Sequence, residues 1–190
     1  MSKLFESLNI TLAIGLLLAV LLMLEPSYAL APGAADRAIG IFQWLHVFFG
    51  ILWIGLLYYF NFVQIPAMPN IPAELKPGIS KHIAPSALFF FRWGAALTVL
   101  TGAILAWLYG ELVAALTLEE PVRLIGIGMW LALIMAFNVW FIIWPNQKKV
   151  LGIVPADDAA KASAARVALI ASRTNVLLSI PMLLAMTNFR

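Results

Sequence analysis

Residues 39–65 read IGIFQWLHVFFGILWIGLLYYFNFVQI, a stretch without a single Asp, Glu, Lys or Arg. An α-helix needs about 20 apolar residues to cross the hydrocarbon of a bilayer, and this run is longer than that. Four further apolar runs flank it, over 8–24, 85–109, 124–144 and 167–186. The gaps hold Glu25-Pro26, Pro66 through Pro77, Glu119-Glu120-Pro121 and Pro145 through Pro155, where missing N–H donors and a fixed φ suit helix ends. The reading is all-α: a polytopic membrane bundle of five transmembrane helices forming one domain over 1–190.

Composition agrees. The 190 residues are 63% hydrophobic and 11% charged, with a mean hydropathy of +0.96, far from soluble usage. Five spans with short connections leave no room for a nucleotide fold, a barrel or any other extramembrane catalytic domain. Cysteine is absent, which excludes disulfides, thiolate metal sites, covalently attached c-type haem and cysteine-ligated iron–sulfur clusters. A net charge of +3 reflects membrane topology here, not nucleic acid as a partner. The N-terminus with the second and fourth loops carries Lys3, Lys76, Lys81, Lys148, Lys149, Lys161 and Arg166, seven in all, against three on the other side, Arg37, Arg123 and Arg190. The positive-inside rule then places the N-terminus in the cytoplasm and the C-terminus outside. Ala29-Leu30-Ala31 resembles a signal-peptidase site, and cleavage there would leave four helices. The preceding run is long for a signal peptide, so retention is the expectation. Tyr28, Trp44, Trp107, Tyr109, Trp140 and Trp144 fall near span ends, as interfacial aromatic belts do.

Polar side chains inside spans are costly and therefore informative. In the second span Gln43, His46, Gly50, Trp53, Leu57, Asn61 and Gln64 recur at intervals of 3, 4, 3, 4, 4 and 3, one helical face that must look into the bundle. Gly50, one turn from His46, removes a side chain beside the imidazole and could admit a flat macrocycle such as haem b, with His46 ligating the iron and Trp53 on the same wall. Equally, Gly50 could let a neighbouring helix approach while His46 hydrogen-bonds across the bundle. The fifth span carries Ser172, Asn175, Ser179, Met182 and Met186 at intervals of 3, 4, 3 and 4. Running outward, it brings Met182 and Met186 level with His46, which makes a His/Met axial pair possible if the methionines do not simply fill gaps. His82, in the basic second loop, reads as a solvated or headgroup-facing residue.

The cytoplasmic half offers a second group: Asn61 and Gln64, Arg92, Asn138, and Arg173 with Asn175. The strings YFNFV before Arg92 and AFNVW before Arg173 suggest two parallel hairpin repeats. The arginines could clamp an anionic substrate, a haem propionate or a quinone carbonyl, or could snorkel to lipid phosphates while the asparagines join helices. Ala95, Ala96, Gly102, Ala103 and Ala106 give the third span a small-residue surface suited to close packing. Membrane-embedded carboxylates are lacking, which argues against a transporter or channel.

The strings WLHVFFGILWIG (44–55), FRWGAALTVLTG (91–102), GMWLALIMAFNVWFIIWPNQKK (128–149) and ASRTNVLLSIPMLLAMTN (171–188) together resemble the membrane domain of the bacterial membrane-bound urate oxidase (urate hydroxylase) family, over about 42–188. The residues carried over are Trp44, His46, Gly50, Trp53, Gly55, Trp93, Asn138, Pro145, Gln147 and Asn175. Long members add helices and a C-terminal cytochrome c and pass electrons from urate to that haem. They also carry histidines where this chain reads LLYYFNFVQIP, SRTN and MTNF. The resemblance implies a multi-pass protein of the bacterial inner membrane and an oxidoreductase function. Without cysteine, electrons would have to reach a separate cytochrome c or a quinone. Three functions stay open: a redox protein with non-covalent haem at His46, a non-catalytic accessory or assembly subunit of a larger membrane complex, and urate oxidation proper.

Overall fold

Sequences this apolar satisfy their backbone polar groups internally, and a helix does so within a single segment. In a computed structural model, which describes residues 7–23 and 33–187, every regular element is helical and no strand occurs among the described residues. The elements are α1 (Leu8–Leu22), α2 (Ala34–Tyr58), α3 (Ala84–Leu108), the short α4 (Leu112–Leu116), α5 (Arg123–Phe137), α6 (Trp144–Val150) and α7 (Asp158–Thr187). Helical turns join some of these into longer rods. Four continuous helical runs are long and apolar enough to cross a membrane: Asp36–Asn70, Lys76–Leu108, Arg123–Val150 and Asp158–Thr187. The 15 residues of α1 rise about 22 Å at 1.5 Å each, short of the roughly 30 Å hydrocarbon core. The expected five spans are therefore four of full length and one shorter apolar helix. Ala29-Leu30-Ala31 and Tyr28 lie outside the described residues, as do Lys3 and Arg190. The chain divides into two compact units, Met1–Ile41 and Phe42–Arg190. The candidate site residues all belong to the second unit.

Pro72, Pro121 and Pro155 fall between the helical runs as the sequence suggested, but other prolines are carried inside them. Pro66, Pro85 and Pro145 each sit second in a helical segment that succeeds a π-helical stretch, Tyr59–Gln64, Ile79–Ile83 or Asn138–Ile143. In each, the residue before the proline donates its N–H five residues back: Ile65 to Phe60, Ala84 to Ile79, Trp144 to Val139. An α-helical proline clashes with the carbonyl four residues earlier; the wider π turn shifts that carbonyl aside, and the helix runs on. The last span also begins nine residues before the expected 167, since Asp158–Arg166 is alanine-rich and alanine is the best helix former.

The second unit is apolar outside and polar at selected places within. Its core is built from Trp53, Leu57, Phe91, Met135 and Val139, each at most 1% exposed. Large side chains such as Phe62, Phe141 and Leu177 are exposed, as lipid-facing residues are. α2 and α3 run antiparallel in close contact: a Cβ on Gly94 would lie 3.3 Å from the Trp53 backbone nitrogen. α5 and α7 pair likewise through Gly128 and Ala185.

Candidate cofactor cavity and polar pairs

The inward faces of α2, α3, α5 and α7, with α4, enclose a cavity of about 730 Å³, whose wall includes His46, Gly50 and Trp53 of α2 and Met182 of α7. That volume lies within the range of small-molecule sites. The wall is mostly apolar, its polar groups being few: Gln43, Thr98, Tyr109, Glu111 and Thr187 beside His46. His46 Nδ1 lies 2.9 Å from the backbone carbonyl of Thr98. A carbonyl can only accept, so this contact assigns the ring proton to Nδ1 and leaves the lone pair on Nε2. Gly102, not Gly50, makes room for the ring. A Cβ on Gly102 would sit 2.7 Å from His46 Cε1, whereas one on Gly50 would meet only Thr98 Cγ2, at 3.9 Å. Gly102, Ala103 and Ala106 thus form part of the cavity wall, although their small side chains suggest a packing surface in the sequence. Trp53 is fully buried, and its Nε1 has no hydrogen-bond partner.

Met182, 5% exposed, and Met186 line the same cavity as His46. Among the described residues no group of three or more His, Cys, Asp or Glu could hold a bare metal ion. Of the two ring nitrogens of His46, Nε2 is the one left able to act as a ligand. α4 had no signal in the sequence beyond a gap between spans, yet Leu112, Ala115 and Leu116 wall the cavity. Trp130 Nε1 donates to Leu116 O at 3.0 Å, and a Cβ on Gly126 would collide with the Ala115 carbonyl oxygen.

The expected cytoplasmic cluster resolves into separate pairs along α7. Asn61 Nδ2 donates to Ser172 Oγ at 2.8 Å and to Leu57 O at 2.9 Å. Asn138 Nδ2 donates to Asn175 Oδ1 at 2.8 Å, and Asn175 Nδ2 to Met135 O at 3.0 Å. Ser179 Oγ donates to Val176 O and lies 3.0 Å from Tyr58 Oη. Both asparagines of the sequence echo sit in π turns and bond α7, but the arginines that succeed them diverge. Arg92 is buried, with its Cζ 3.4 Å from the Trp144 ring centroid and 6.0 Å from that of Trp140. Trp140 Nε1 donates to Arg92 O at 3.2 Å. These two tryptophans therefore cover an arginine. Arg92 Nε and Nη1, Asn61 Oδ1 and Gln64 Oε1 have no partner. Arg92 does not line the cavity, so it is not a propionate clamp there. Arg173 is exposed and outside the group: Ser172 and Asn175 share the inward stripe, and the residue next to Ser172 points about 100° away on a helix. His82 is exposed, as its loop position suggested.

Residues 111–189 match the family model described as urate oxidase N-terminal, a stretch holding α4 to α7 with Asn138, Asn175 and Met182 but not His46 or Arg92. No curated protein and no solved structure matches the chain.

Proposed function

We propose that this chain is a membrane redox protein of the urate oxidase N-terminal kind that holds a non-covalent haem b in the 730 Å³ cavity, where His46 would hold its iron. The observation that carries the reading is the 2.9 Å contact from His46 Nδ1 to Thr98 O. A backbone carbonyl on the far nitrogen is the second-sphere arrangement that orients a metal-ligating histidine and raises its basicity. The Gly102 gap leaves the ring its place, Gly50 leaves the adjoining wall flat, and the apolar wall keeps water from the ligand. Met182, on the same cavity wall, would be the second residue able to hold the iron. Bound haem would exchange single electrons, and its partner would be a separate cytochrome c or a quinone. Urate is the first substrate to test, on the strength of the match over 111–189.

The accessory-subunit reading is favoured by a different observation, the use of Asn61, Asn138 and Asn175 to join helices to one another. A visible spectrum of the purified protein separates the two. A Soret band that His46→Ala abolishes and His82→Ala leaves intact is expected. A colourless protein purified from haem-replete cells, which takes up no added haemin, makes His46 a packing residue and favours the accessory role.

A further inference from the structure

We propose that a second, basic cavity at the opposite end of the bundle binds a phosphate-bearing anion between Lys76, Lys81 and Lys161. This site is independent of the haem reading. The cavity measures about 360 Å³, and Ser80, Leu151 and Gly152 complete the relevant wall. Two of the lysines come from the turns entering α3 and one from the first turns of α7, so the fold assembles them from distant parts of the chain. Among the described residues no Asp or Glu lines the cavity. The carboxylate paired with Lys161, Asp158, reaches it at 3.6 Å from a fully exposed position.

Three lysines on one wall that carries no carboxylate repel one another, only Lys161 having a counter-ion, the exposed Asp158, and an anion between them relieves that repulsion. A tetrahedral phosphate offers several oxygens in different directions, which suits lysines acting as point charges from separate elements. The cavity lies where the runs Lys76–Leu108 and Asp158–Thr187 begin and Arg123–Val150 ends. Span ends occupy the headgroup layer, and basic pockets between membrane helices take anionic headgroups there. A lipid phosphodiester and a free phosphate share this chemistry. Lys148, Lys149 and Arg166 carry the same charge on the same side but do not line the cavity, which makes them the control.

The test uses the full chain in neutral detergent and tracks the unfolding midpoint as dioleoylphosphatidylglycerol, dioleoylphosphatidylcholine or inorganic phosphate is added. Phosphatidylglycerol should raise the midpoint saturably while phosphatidylcholine does not. The triple variant K76Q/K81Q/K161Q should bind it roughly fivefold more weakly for each lysine removed, and K148Q/K149Q/R166Q should behave as the parent. An equal rise with inorganic phosphate, lost in the first triple variant, upholds the site and assigns it to a free anion. Equal responses from the two triple variants, or no response to either anion, overturn the proposal.

Discussion

The setting of His46 depends on two residues of α3 some fifty positions away, the Thr98 carbonyl that accepts the hydrogen bond from Nδ1–H and Gly102 that leaves space for the ring. Gly102→Ala should therefore remove or shift the Soret band while far-ultraviolet circular dichroism stays that of the parent. Gly50→Ala places a methyl at ordinary contact distance and should change the spectrum little. An unaltered spectrum in Gly102→Ala would show that the imidazole does not depend on this gap. At the other end of the same faces, Asn175 is wholly buried and serves both Asn138 and Met135. Asn175→Ala strands the Asn138 amide and should cost about 1–2 kcal/mol in detergent unfolding. Arg173→Ala, at an exposed site two residues before it, should stay within about 0.5 kcal/mol. If the two substitutions cost the same, the α5–α7 pairing is not what the asparagine supports.

At the scale of elements, the three π turns explain how long helical runs pass through prolines that the sequence suggests are terminators. They also set the angular position of the residues beyond them: Trp144 lies just past the third, stacked on Arg92. α4 is a five-residue element that could not persist alone, since isolated helices of that length are unstable in water. It is held by the Trp130 hydrogen bond and by its close approach to Gly126. Gly126→Ala puts a methyl against backbone, which cannot swing aside as a side chain can. The expected result is a loss of about 1–3 kcal/mol with faster proteolysis around 111–122, because α4 must leave its seat on α5. Wild-type stability and protease resistance in that variant would mean that the contact is slack.

For the whole molecule, the membrane-length runs are apolar outside, and the few polar groups they carry, such as Asn61, Asn138 and Asn175, are buried among apolar side chains. The seven-to-three bias of basic residues predicts the orientation. A C-terminal fusion to a reporter that works only in the cytoplasm should be inactive, and one that works only outside should be active; the reverse pattern would invert the assignment. The second basic cavity falls on the side this rule assigns to the cytoplasm. The urate oxidase N-terminal match covers 111–189, whereas the histidine lies in α2, so the haem reading rests on geometry contributed by the other half of the unit.

Much was legible in the sequence because the bilayer is a simple solvent. Hydrophobic run length marked the helical runs, and a 3–4 spacing of polar residues marked the inward faces of α2 and α7, since one periodicity governs both. That is why His46, Trp53 and Met182 could be named as neighbours of one interior and why Asn61, Asn138 and Asn175 could be named as buried. Spacing on one helix says nothing of which residue on another helix stands opposite. Gly102 in place of Gly50 as the imidazole's seat, Trp140 and Trp144 on Arg92, and the division of the polar cluster into pairs are all consequences of how helices cross. The exclusion of Arg173 was readable from its angle beside Ser172, but pairing the two sequence echoes obscured it. α4 and the lysine cavity were not readable, because each exists only where segments distant in the chain are brought together by packing, and packing is decided by the tertiary structure alone.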